Sequence, residues 1–136
     1  MKTHSTNYFN TLIETATDTK VVKGTVPPSK HNKTVAERQY ELIVSAPYQY
    51  TSDDIIFQVY AERKDLMPDE YPLARTVFFS RGQACLRASP LTKTYGYGVH
   101  SNSEGKVALY GMETEEYQKF VKDGNTKKVK AMKSSK

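Results

Sequence analysis

The residues able to do chemistry gather between positions 81 and 100. Arg81, Arg87 and Lys93 supply cations, Cys85 a thiol, Ser89 a hydroxyl, Tyr95 and Tyr97 aromatic faces, and His100 an imidazole that titrates near neutrality. Residues 71–103 carry Arg75, Arg81, Arg87 and Lys93 and no carboxylate. Guanidinium groups bind carboxylate or phosphate through paired donors, and tyrosine rings stack on planar ligands, so the segment reads first as a site for a small anionic or nucleotide-like ligand. Thiol chemistry is the second reading. Cys85 needs a base to become thiolate at neutral pH, and His100 could serve if their strands were neighbours, with Tyr95, Tyr97 or Tyr110 as helpers. Against it, a cysteine between Ala84 and Leu86 is commonly a small core residue, and no full set of nucleophile, base and orienting group can be read.

Other chemistries are excluded by spacing. His4, His31 and His100 show no metal-ligand spacing, which argues against zinc. Gly96-Tyr-Gly98 lacks the third glycine and the helix start that a dinucleotide needs, and no phosphate loop occurs, so no cofactor is expected. The lone Cys85 cannot pair within the chain, which fits a reducing cytosol. No apolar run is long enough to span a bilayer, and polar Thr3–Asn7 stand where a signal peptide would turn apolar. The expected location is the cytoplasm, with no membrane partner.

To hold these groups the segment must form strands. From Tyr95 to His100 the side chains alternate, with Tyr95, Tyr97 and Val99 on one face and Gly96, Gly98 and His100 on the other. Two glycines on one face mean close approach to the backbone, by a packed helix or by a ligand for which they are the floor. Ser101 to Gly105 is a polar turn leading into Lys106–Tyr110, which makes a hairpin. Upstream, Ala84–Ser89 reads as a shorter strand ended by Pro90, placing Cys85, Arg87 and Ser89 on one face.

The rest of the chain supplies the support. Tyr8–Ala16 alternates and is rich in strand formers, whereas residues 21–33, with Gly24, Pro27 and Pro28, read as a long loop. Thr34-Val-Ala-Glu37 is a capping box opening a helix with Ala36, Tyr40, Ile43 and Val44 on its inner face and Pro47 beyond its end. Thr51-Ser-Asp-Asp54 opens a second by the same logic, although Ile55, Phe57, Val59 and Ala61 also alternate as a strand would. A third helix starts near Met67–Asp69 with Tyr71, Ala74, Val77 and Phe78 inward, and a fourth at Thr114 buries Tyr117, Phe120 and Val121.

This order predicts an α+β protein, a single two-layer domain over residues 1–126 whose mostly antiparallel sheet carries about four helices. Residues 127–136 are then a lysine-rich edge strand or tail, and oligomeric state is not legible. The 136 residues carry a net charge of +5, and residues 119–136 hold seven lysines against Asp123 alone. Nucleic acid is therefore a partner class to weigh, but no nucleic-acid motif accompanies the lysines and a solvated tail accounts for them.

The run Cys85-Leu-Arg-Ala-Ser-Pro-Leu-Thr-Lys93, continued by Tyr95-Gly-Tyr-Gly-Val-His100 and Glu104-Gly-Lys-Val-Ala-Leu-Tyr-Gly, resembles a bacterial family known only as a domain of unknown function. Thr6-Asn-Tyr-Phe, Tyr50-Thr-Ser-Asp-Asp54, Phe78-Phe-Ser-Arg-Gly-Gln83 and Lys130-Ala-Met-Lys-Ser-Ser extend the resemblance over nearly the whole chain. It implies a single-domain bacterial protein and assigns no activity, cofactor or catalytic residue.

Overall fold

The computed structural model describes residues 3–133 and forms one α+β domain. The end of the lysine-rich tail, residues 134–136, lies outside the described residues. Four strands, β1 (Thr11–Glu14), β2 (Tyr97–Ser101), β3 (Val107–Gly111) and β4 (Lys127–Lys130), make a sheet in the order β3-β2-β1-β4. The β2–β3 hairpin is antiparallel as expected, its turn made by Gly105 at φ +79° and by Asn102, whose Oδ1 accepts from the amides of Glu104 and Lys106. The segment after β3 supplies α5 (Glu115–Lys122) and then β4, which pairs parallel to β1. This is a β-helix-β return, so the beginning of the lysine-rich segment is an edge strand. Its exposed Lys127 and Lys130 discourage further strands from adding there.

The two faces of the sheet are packed differently. Ile13, Val99 and Val107 point to the main core, where they meet Ala36 and Ile43 of α1 (Val35–Ser45), Ile55 of α2 (Ser52–Arg63) and Leu91 of α4 (Pro90–Lys93). The opposite face, with Leu12, Gly98, His100 and Tyr110, is crossed by α5. A second cluster, Phe57, Ala61 and Phe79, joins α2 to α3 (Tyr71–Phe78). Helix α2 thus buries Ile55 in the main core and Phe57 and Ala61 in the second cluster, and Val59 is buried as well. Burial on two sides explains the strand-like alternation of those four residues in a helix.

Local signals decide where the helices begin. The hydroxyls of Thr34, Thr51 and Thr114 accept from the amides of Glu37, Asp54 and Tyr117. At Thr51 the box is complete, because Asp54 Oδ2 accepts from the Thr51 amide at 3.0 Å. At Thr34 it is half made: Glu37 Oε1 accepts from the Lys30 amide and so fastens the preceding loop. Val44 and Val77, expected to face inward, are exposed, because α1 and α3 each bury a narrower stripe than the spacing suggested.

Three expectations are corrected. Ala84–Ser89 is not a strand: Leu86–Ala88 is a 3-10 turn and Ser89 starts α4, with its Oγ accepting from the Leu91 amide and Pro90 in the first helical turn. The shared face of Cys85, Arg87 and Ser89 disappears with it. The strand expected from Tyr95 begins at Tyr97, because Gly96 has φ +80° and turns the chain. Tyr8–Ala16 shortens to β1, preceded by Asn10 at φ +50°.

Candidate functional site

Most of the residues expected to form the anion site have contacts of their own within the fold. Arg81 is exposed. Arg87 donates from Nε to the Lys130 carbonyl at 2.6 Å and its own carbonyl accepts from the Met132 amide, so it secures the end of β4. Ser89 is buried and donates to Gln39 Oε1 at 2.5 Å, tying α4 to α1. Lys93 is half-buried at the end of α4, and the Tyr95 carbonyl accepts from the Thr25 amide. The bare glycine face is filled by the protein itself. A Cβ on Gly96 would lie 2.5 Å from the Lys23 carbonyl oxygen, and one on Gly98 would lie 2.5 Å from the Tyr117 ring. Close approach is indeed what the glycines permit, by a loop and by a helix.

His100 and Cys85 are also apart in role. His100 stacks on Phe120 with ring centroids 3.9 Å apart, and its Nδ1 is 2.9 Å from the hydroxyl of Tyr48, which is also 2.9 Å from that of Tyr110. Burial lowers the His100 pKa, opposed by the Asp123 carboxylate, and burial together with the Tyr110 hydrogen bond raises that of Tyr48. Tyr48 reaches this place because its backbone is left-handed, φ +59°, beside the outer edge of β3, where its amide donates to the Val107 carbonyl. The cluster fastens the α1–α2 connection to the sheet. Cys85 has the Tyr8 hydroxyl 3.9 Å from its sulfur, and no imidazole among its described partners. Among the described residues no group of three or more His, Cys, Asp and Glu could hold a metal ion.

A cleft lies elsewhere, between α2, α3 and the connection before α2. It holds about 760 Å³, with Tyr50, Phe57, Tyr71 and Pro72 on its walls and Gln49, Asp54, Gln58 and Arg75 among its polar groups. Its geometry follows from the start of α2. Asp54, whose Oδ2 completes the Thr51 cap, uses Oδ1 to hold Arg75 at 2.9 Å. The guanidinium lies 5.8 Å from the Phe57 ring centroid and 5.6 Å from that of Phe79, as cation–π contacts require. Phe57 is in turn held by edge contacts with Tyr71 and Phe78. Arg75 therefore has a fixed direction while its side chain stays 41% exposed, and most of its donor fork is open. Sequence reasoning counted Arg75 among the bases of residues 71–103 without choosing it. The signal that would have singled it out is its place on the same α3 face as Tyr71 and Phe78, where a cation breaks an aromatic stripe.

One family covers this whole arrangement. The family described as "Family of unknown function (DUF6157)" matches residues 3–136. The chain belongs to that family. The match takes in the cleft, the hairpin and the edge strand together, so in this family they are parts of one domain. Neither the curated proteins nor the solved structures yield a match. Among the described residues no helix is long and apolar enough to cross a membrane.

Proposed function

We propose that the protein is a ligand-binding domain of the bacterial cytoplasm, and that its cleft takes a small molecule with an aromatic or apolar body and a carboxylate. The observation carrying this reading is the open guanidinium of Arg75 at the mouth of an aromatic-walled space of ligand size. The rings of Tyr50, Phe57 and Tyr71 would cover the body, and the free donors of Arg75 would take the carboxylate in paired fashion. Gln58 adds an amide for a further polar substituent. The anionic ligand class expected from the bases of residues 71–103 is kept, and the site proposed for it is the cleft around Arg75. The lone free thiol of Cys85 suits a reducing compartment.

The test is a titration of the 15N-labelled protein with phenylacetate, phenylacetamide and phenylalanine, followed by amide shifts. Phenylacetate is expected to move the signals of Tyr50, Asp54, Tyr71 and Arg75, the neutral amide to bind more weakly, and Arg75→Gln to abolish the difference. Phenylalanine tests whether an ammonium group facing Asp54 adds affinity. Shifts confined to other residues, or the same response to acid and amide, would refute the reading.

A further inference from the structure

Helix α3 turns two faces to different surroundings. Tyr71, Ala74, Arg75 and Phe78 face α2, while Leu73 and Val77, one turn apart, are 73% and 54% exposed. Charges without partners flank this apolar pair along the chain. Asp69 precedes the helix and Arg81 follows it, both exposed, and neither side chain has a partner among the described residues. Glu70 is occupied, its Oε2 accepting from the Met67 amide, and Arg75 lies on the other face of the helix, where it meets Asp54.

We propose that this face is a two-fold interface with a second copy of the chain. Two α3 helices laid antiparallel about an axis near residue 75 set Leu73 of one against Val77 of the other. The same operation brings Asp69 of one copy to Arg81 of the other, twice. A two-fold interface must be complementary to itself, and this order of acid, apolar pair and base along one helix meets that requirement. A partner of a different sequence would need no such symmetry. Met67, 63% exposed, widens the apolar area beside Leu73. The helix has eight residues, so the contact falls below the size of a standard interface, and the dimer is weak and reversible, with a Kd on the order of 10–100 µM. The interface does not depend on what the cleft binds.

Sedimentation velocity from about 10 µM to about 1 mM reads the association directly. The parent chain is expected to pass from monomer to dimer over that range, and Leu73→Asp to remain monomeric with an unchanged circular dichroism spectrum. Asp69→Arg and Arg81→Asp are each expected to raise Kd about tenfold, and the double variant to return to within about threefold of the parent. The two single variants change net charge in opposite directions, so a general charge effect would move their Kd values oppositely, whereas the interface requires both to weaken. A monomer at every concentration, a dimer indifferent to Leu73→Asp, or single variants that shift in opposite senses would each overturn the proposal.

Discussion

The ring of Tyr117 stands where a Cβ on Gly98 would have to be, 2.5 Å from its Cε2, while its hydroxyl accepts from the Thr15 amide at 3.1 Å. Helix α5 is thus pinned to β1 and β2 by one side chain. Gly98→Ala should destabilise the fold by about 1–3 kcal/mol, because Tyr117 is buried and held at both ends. Urea denaturation measures this. In a double-mutant cycle, Gly98→Ala combined with Tyr117→Leu should cost less than the sum of the two single changes.

Asp65 closes α2 in a left-handed conformation, φ +54°, with its amide donating to the Glu62 carbonyl and that of Leu66 to the Ala61 carbonyl. These are the two bonds of a Schellman motif, whose left-handed position suits glycine. Asp65→Gly should raise stability by about 0.5 kcal/mol, the relief of strain being partly offset by a freer unfolded chain. A lower urea midpoint than the parent's would contradict it.

His100 provides a pH signature. Its folded pKa is depressed below the ordinary 6.5, so the unfolded chain binds the proton more readily. The stabilising contribution is fully present above pH 6.5 and is lost as pH falls from there through the folded pKa. The carboxylates held low by their partners, Glu41, Glu62, Glu113 and Asp123, respond only at more acid pH. His100→Gln should flatten the stability profile just below pH 6.5 and leave the more acid decline in place, which thermal unfolding across a pH series would show.

Arg38 bridges α1 and α2 by donating from Nε and an Nη to the two oxygens of Glu62 at 2.7 and 2.8 Å. The hydrogen bonds from Arg38 hold the Glu62 carboxyl below its usual range. That stability is present above the ordinary Glu pKa and disappears as pH falls through the folded one. Arg38→Lys keeps the charge but not the fork, and should cost about 0.5–1 kcal/mol at neutral pH. An unchanged midpoint at pH 7 would show the fork to be dispensable.

The parts legible in the sequence are those whose cause is local. A threonine hydroxyl meets an amide three residues on, which is why Thr34, Thr51 and Thr114 announced their helices. Gly105 did the same for the hairpin. Ser89-Pro90 read as the end of a strand because the dipeptide that ends a strand also begins a helix, and the Leu91 amide, donating to Ser89 Oγ, marks it as a helix start. The glycines 96 and 98 correctly signalled close approach, but their partners, Lys23 and Tyr117, are distant in sequence and no spacing rule finds them. The cleft was hidden for the same reason. Arg75 is one cation among several until Asp54 and the rings of Phe57 and Phe79 are brought around it.

The strand order has a bearing on how the protein is made. On one side of β1, Leu12 is paired with His100, and on the other with Lys128. A nascent chain that has left the ribosome through α3 holds β1 with neither neighbour yet available. The backbone pairing of Thr11, Leu12 and Ile13 must wait until Tyr97–Ser101 is synthesised, and the far flank until Lys127–Lys130 follows. Pairing of the sheet therefore comes late in synthesis and rests on long-range contacts, and strand-by-strand growth from β1 is closed to it.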